Sequence, residues 1–101
     1  MSAPAVNQAA AALASIDAAL RAAGVVDVCL YGSRARGQAT PRSDWDFLLT
    51  FSRTLTPREY FTVRDEIAAA IGTTVSISSP QYAPASFIAS IAADCVPVWS
   101  A

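Results

Sequence analysis

From Pro4 to about Ala23 the apolar residues Val6, Ala9, Leu13, Ile16 and Leu20 recur at intervals of three and four, and Gly24 follows them. That period predicts one amphipathic helix stopped by the glycine. The pattern then changes. Val25-Val26-Asp27-Val28-Cys29-Leu30-Tyr31 is a mostly apolar, partly β-branched run ending at Gly32, which fits a buried strand. Ser33 is placed to cap a short helical turn through Gly37, with backbone N–H groups directed outward as a phosphate seat. After the polar turn Thr40-Pro41-Arg42-Ser43, residues 44–51 read as a second strand, with Asp44 and Asp46 on one face and Trp45 and Phe47 opposite.

Thr56-Pro57-Arg58-Glu59 is a capping box with proline at the first helical position, and Tyr60, Val63, Ile67 and Ile71 mark the buried face of a helix ending at Gly72. Residues 73–78 read as a third strand, Pro84 to Ala93 as a helix and Cys95 to Trp99 as a last strand. Pro97 makes that strand an edge. The stripe Phe87, Ile88, Ile91, with Tyr82 and Trp99 nearby, reads as the last helix's core face. This order predicts an α/β (α+β) fold in which a small mixed sheet carries helices on one face and chemistry on the other. No repeat or linker divides the chain, so residues 1–101 are expected to form a single domain.

Composition narrows the chemistry. Hydrophobic residues make up 53% of the 101 and charged residues 15%, which excludes disorder and leaves apolar surface for a partner or an oligomer. A formal charge of −1 gives no general attraction to nucleic acid or anionic membranes, so direct nucleic-acid binding is not expected. All seven basic residues are arginines and histidine is absent. Schiff-base lysines, imidazole bases and histidine metal ligands are thereby removed. The alanine- and arginine-rich composition points to a bacterial genome. Cys29 and Cys95 lack metal or redox spacing and read as small core residues in a reducing compartment. With neither a leader pattern nor a stretch of membrane-spanning length, a cytoplasmic protein is expected.

Carboxylates, hydroxyls and guanidinium groups remain. Two carboxylates at i and i+2 on one strand face repel each other unless a cation sits between them and their ligands, which suits Mg²⁺ or Mn²⁺ held with nucleotide phosphates. Gly32 allows close backbone approach, Ser33 supplies a hydroxyl and the following turn supplies N–H donors. Together these residues bracket one ligand.

The segments "LYGSRARG" and "SDWDFLL" resemble the signature of the minimal nucleotidyltransferases of the DNA polymerase β superfamily, through Gly32, Ser33, Arg34, Ala35, Arg36, Gly37, Ser43, Asp44 and Asp46. The resemblance implies that family's fold and transfer of a nucleoside monophosphate, with ATP the expected donor, to a hydroxyl acceptor with release of pyrophosphate. It implies that Gly32 and Ser33 hold the β- and γ-phosphates, and that Asp44 and Asp46 hold the metal and carry catalysis. Ser43, Arg34 and Arg36 join the nucleotide-binding set; the two arginines contact phosphate or a partner, or are simply solvated. The chain also resembles the stand-alone members that act as antitoxins beside an all-helical HEPN toxin, some of which silence it by adding AMP to a tyrosine. It lacks the extra domains that hold drugs or DNA in larger members, so a macromolecular partner is expected to complete the acceptor site.

One position departs from the family pattern. Where a third carboxylate is common, after the capped helix, this chain has Val75-Ser76-Ile77-Ser78, with Ser76 in the acidic place. A hydroxyl neither neutralises a second metal nor serves as an anionic base. Asp65 and Glu66 on the capped helix, and Asp27 at the far end of the first strand, are poor substitutes. Two readings follow: a Mg²⁺-dependent nucleotidyltransferase that adenylylates a partner toxin, or an impaired relative that neutralises its partner by binding alone. A third is modification of a small molecule with help from another subunit.

Overall fold

The computed structural model describes residues 3–101. Four strands, β1 (Val25–Tyr31), β2 (Trp45–Phe51), β3 (Val75–Ser78) and β4 (Val96–Ser100), form one sheet in the order β3-β2-β1-β4. The sheet is mixed: β1 runs antiparallel to β2 and β4, and β2 parallel to β3. Parallel neighbours need a crossover, and α4 (Pro57–Ile71) supplies it between β2 and β3. β4 is an edge, as Pro97 requires.

Alternation along β2 sets the two faces. Trp45, Phe47, Leu49 and Phe51 are buried while Asp46, Leu48 and Thr50 are partly exposed. The core lies on the first face, where Phe47 and Leu49 pair with Leu30 and Val28 of β1 and meet Leu13, Leu20 and Ile67 from the helices. Full burial of a side chain such as Phe47 contributes roughly 1.5–3 kcal/mol.

The N-terminal segment is two helices where one was expected: α1 (Ala3–Ser15) and α2 (Asp17–Ala22) meet at Ile16, whose φ of −117° and ψ of 26° leave the helical region. The kink turns α2 so that Asp17 accepts the Trp99 indole N–H at 3.0 Å and the Arg21 Nε–H at 2.9 Å. That contact ties the N-terminal segment to β4. The capping box of α4 is complete: Thr56 Oγ1 accepts the Glu59 N–H at 3.2 Å, and Glu59 accepts the Thr56 N–H at 2.9 Å. Beyond β2, the Gln81 amide takes the place of a missing strand by donating to the Phe51 carbonyl at 2.7 Å and accepting its N–H at 3.2 Å.

The last helix is shorter than expected: α5 (Ala85–Ile91) passes into a 3₁₀ turn at Ala92–Asp94. The mixed sheet with its helical layer agrees with the α/β expectation, with one refinement. Phe87 of α5 meets Tyr31 edge-on, with centroids 6.2 Å apart, on the face that carries Asp46. Only Ile91 of the α5 stripe is buried; Phe87 and Tyr82 are exposed, and Tyr82 packs against Phe51 and Tyr60 instead. Cys29 and Cys95 also differ from expectation. Both are half-buried and lie outside the core, and burial pushes both thiols above their ordinary range. No described helix is long and apolar enough to cross a membrane.

Candidate active site

β1 ends at Tyr31 and delivers the chain to Gly32, which adopts φ 80° and ψ −160°. That positive φ is open to glycine and strained for other residues. It starts a one-turn helix, α3 (Ser33–Arg36), closed by Gly37 at φ 75° in the left-handed region. Gly32, rather than Ser33, occupies the N-cap, so the Ser33 hydroxyl is not consumed in capping. The first N–H groups of a helical turn have no partner within it.

Asp46 sits at the second position of β2, against this turn: a Cβ at position 32 would lie 2.6 Å from Asp46 Oδ2. The absent side chain at Gly32 is the space the carboxylate occupies. Burial raises the Asp46 carboxyl above the usual carboxylate range, and the Asp44 charge raises it further. Asp44 stands immediately before β2 and is exposed. The two carboxylates are thus brought together in one electrostatic environment, one lodged against the backbone and one facing solvent.

The antiparallel register sets Tyr31 opposite Asp46, and the parallel register sets Ser76 beside it on β3. The Tyr31 hydroxyl lies 3.4 Å from Ser78 Oγ, so the phenol reaches across β2 toward β3. Burial holds that phenol above its ordinary value and the Asp46 charge adds to the rise, leaving it a neutral hydrogen-bond donor at physiological pH.

The arginines of the turn are engaged with protein groups. Arg34 donates to the Ser43 carbonyl from Nη2 at 2.7 Å and Nε at 3.2 Å, and its guanidinium lies over the Trp45 ring at 4.4 Å. It clamps the loop that precedes Asp44. Within that loop Ser43 Oγ accepts the Thr40 N–H at 2.8 Å. Arg36 pairs with Asp94 at 2.7 Å and donates to Gln38 at 3.0 Å. Trp45 is buried and stacks against Phe47, as its position opposite the aspartates implies.

Two features escape a reading of the sequence alone. The doubled contact of Arg34 with Ser43 and Trp45 spans the loop, and no local pattern marks it. An apolar groove of about 280 Å³ lined by Leu55, Pro57, Tyr60, Phe61 and Tyr82 lies at the opposite end of β2 from Asp46. Neither Asp44 nor Asp46 lines it.

A profile of the polymerase beta nucleotidyltransferase family matches residues 15–101. Among curated proteins, none matches the sequence. Solved structures share the fold. A protein described as a minimal nucleotidyltransferase superposes with a TM-score of 0.76 at 23% identity, over 91% of this chain and 94% of that one. A chain of a toxin–antitoxin complex with AMP-PNP superposes at 0.72 and 19% identity, over 87% and 73%. The complex of a tri-AMPylated HEPN toxin with its MNT antitoxin, from Shewanella oneidensis, gives 0.66 and 16%, over 90% and 71%.

Proposed function

The chain belongs to the polymerase beta nucleotidyltransferase family, and from that premise we propose that it transfers AMP from ATP to a hydroxyl of a partner protein, as the antitoxin of a HEPN-type toxin. The observation that carries this reading is the lodging of the Asp46 carboxylate against the bare backbone of Gly32, with Asp44 beside it. A side chain at position 32 would fill the space, so phosphate-turn backbone and carboxylate share one seat. Two hard oxygen donors of this kind suit Mg²⁺ or Mn²⁺. When bound there, such an ion neutralises phosphate charge and relieves the repulsion between the aspartates.

The protein's own groups would then divide the work. Gly32 and the N–H groups of α3 receive phosphate oxygens, and Ser33 adds a hydroxyl. Ser43 belongs to the loop that sets Asp44, and Arg34 holds that loop by its carbonyl. Arg34 is therefore a positioning residue here, and Arg36 steadies the other side of the turn through Asp94. Tyr31 keeps its proton and offers a hydrogen bond on the face of Asp46. The setting is the bacterial cytoplasm. The toxin–antitoxin complexes with AMP-PNP and with AMPylated toxin, which share the fold, support a protein acceptor.

A second reading is favoured by one observation: Ser76, not an acid, stands in register with Asp46. On that reading the chain grips nucleotide but neutralises its partner by covering it. Intact mass of the protein encoded by the neighbouring gene, after co-expression, separates the two. A nucleotide-sized increase that disappears with Asp44→Ala and Asp46→Ala supports transfer. An unmodified partner that co-purifies in a stable complex supports binding alone.

A further inference from the structure

Asp46 has hydroxyl neighbours on both sides of its strand. Tyr31 stands opposite it on β1, Ser76 stands beside it on β3, and Ser78 reaches the Tyr31 hydroxyl from the next position on that face. The other acids are placed differently: Asp17 pairs with Arg21 and Trp99, Asp27 lies in register with Thr50 and Ser100 toward the far end of β1, Glu59 pairs with Arg53 and Asp65 with Arg64, Glu66 lies on α4, and Asp94 beside the α3 turn is paired with Arg36. Among the described residues, no group of three or more His, Cys, Asp or Glu side chains is placed to hold a metal.

That arrangement limits the anionic ligands the protein offers a second ion. Paired ions in two-metal phosphoryl-transfer sites sit about 3.5–4 Å apart. Two dications at that spacing repel strongly and are held by shared and flanking anionic ligands. Asp44 and Asp46 with phosphate oxygens can supply the anionic ligands of one dication, whereas a second ion beside Asp46 would meet only neutral protein oxygens on either side, from Tyr31 and Ser76. A hydroxyl contributes a dipole but no charge.

We propose that this chain seats a single divalent cation with its nucleotide, and that Ser76 sets the number. Ser76 is exposed on edge strand β3, and adjacent parallel strands lie about 4.8 Å apart. A carboxylate at position 76 would stand within bridging range of an ion held by Asp46 and would build the second seat. Ser76 is thus a specificity-determining position for metal stoichiometry. The inference rests on the nucleotidyltransferase reading.

The test counts Mn²⁺ per chain, by native mass spectrometry and electron paramagnetic resonance, on full-length protein saturated with Mn²⁺ and a non-hydrolysable ATP analogue. The wild type and Ser76→Asn are expected to hold one ion and Ser76→Asp two, with paired Mn²⁺ showing spin coupling in the spectrum. Two ions in the wild type, or one in a folded Ser76→Asp protein, would overturn the inference. Should Ser76→Asp not fold, Ser76→Glu and the wild-type count decide it. A wild type that takes up nucleotide with one ion leaves the transferase reading standing whatever the variants do. A wild type that takes up neither Mn²⁺ nor nucleotide overturns both.

Discussion

A Cβ at position 32 would lie 2.6 Å from the Oδ2 of Asp46. Two penalties therefore meet at Gly32, a positive φ and a collision with a carboxylate. At φ 80° and ψ −160° Gly32 lies in a region almost confined to glycine, and the backbone penalty alone is about 1–3 kcal/mol for another residue. Gly72 is an internal control, since its φ is +97° and nothing lies within 4 Å of its would-be Cβ. Gly32→Ala and Gly72→Ala are both expected to lower the melting temperature. Gly32→Ala alone should displace Asp46 and abolish Mg²⁺-dependent nucleotide binding, measured by calorimetry.

The ionised Asp46 carboxylate is strained in the metal-free protein. Its folded-state pKa is raised, first by burial and then by Asp44, so folding disfavours the charged form. A raised acid pKa makes the charged state a destabilising one: stability is lower above the folded pKa and recovers as pH falls through it. Asp46→Asn should raise the melting temperature at neutral pH by a few degrees at most, while removing the stabilisation that Mg²⁺ and nucleotide confer on the wild type. Thermal melts with and without Mg²⁺-ATP check both signs. A lower metal-free melting temperature for Asp46→Asn would contradict this account of the site's electrostatics.

Arg34 holds the Ser43 carbonyl with two donors and covers Trp45. Loss of charged hydrogen bonds and of the ring contact should destabilise Arg34→Ala by about 1–3 kcal/mol in denaturant unfolding. Arg34→Lys keeps the charge but not the planar fork, so it is expected to recover only part of the stability. Nucleotide affinity should fall in both variants, because the loop that sets Asp44 loosens. Equal affinity in wild type and Arg34→Ala would show that the clamp does not position the site.

At the start of α4, Glu59 is held down to about 2, chiefly by the Arg53 guanidinium and then by the Thr56 N–H. A depressed acid pKa contributes stability above the unfolded value, near 4.5, and that stability is lost as pH falls toward 2. Glu59→Gln should flatten this acid limb of the stability–pH curve. Thr56→Ala, which removes the other half of the capping box, should cost about 1 kcal/mol at any pH between 5 and 8.

The same capping box shows why parts of the fold are readable from sequence. Thr56, Pro57 and Glu59 act on one another within one turn, so their spacing alone declares the helix. The alternation Asp44-Trp45-Asp46-Phe47 likewise declares which side chains are buried, because period two belongs to the strand itself. Ile16 is the contrary case. Its apolar spacing continues the helical period through the break, and the contact that the break serves, Asp17 with Trp99, joins residues 82 apart. Arg34 reads as a loose surface charge until the loop folds back and presents the Ser43 carbonyl. Phe87 reaches Tyr31 only after the crossover from β3 to β4 brings α5 round to the Asp46 face. The carboxylates and the glycine turn were legible because chemistry placed them close in sequence; the groups that brace them arrive through tertiary contacts.

The central claim is that Gly32, Ser33, Asp44 and Asp46 form one Mg²⁺-nucleotide seat, and calorimetric titration of ATP into the wild type and into Asp46→Ala, each with and without Mg²⁺, tests it most directly. Binding by the wild type that requires Mg²⁺ and is lost in the variant is the predicted result. Binding of equal strength in both proteins, or none in the wild type, would contradict the assignment.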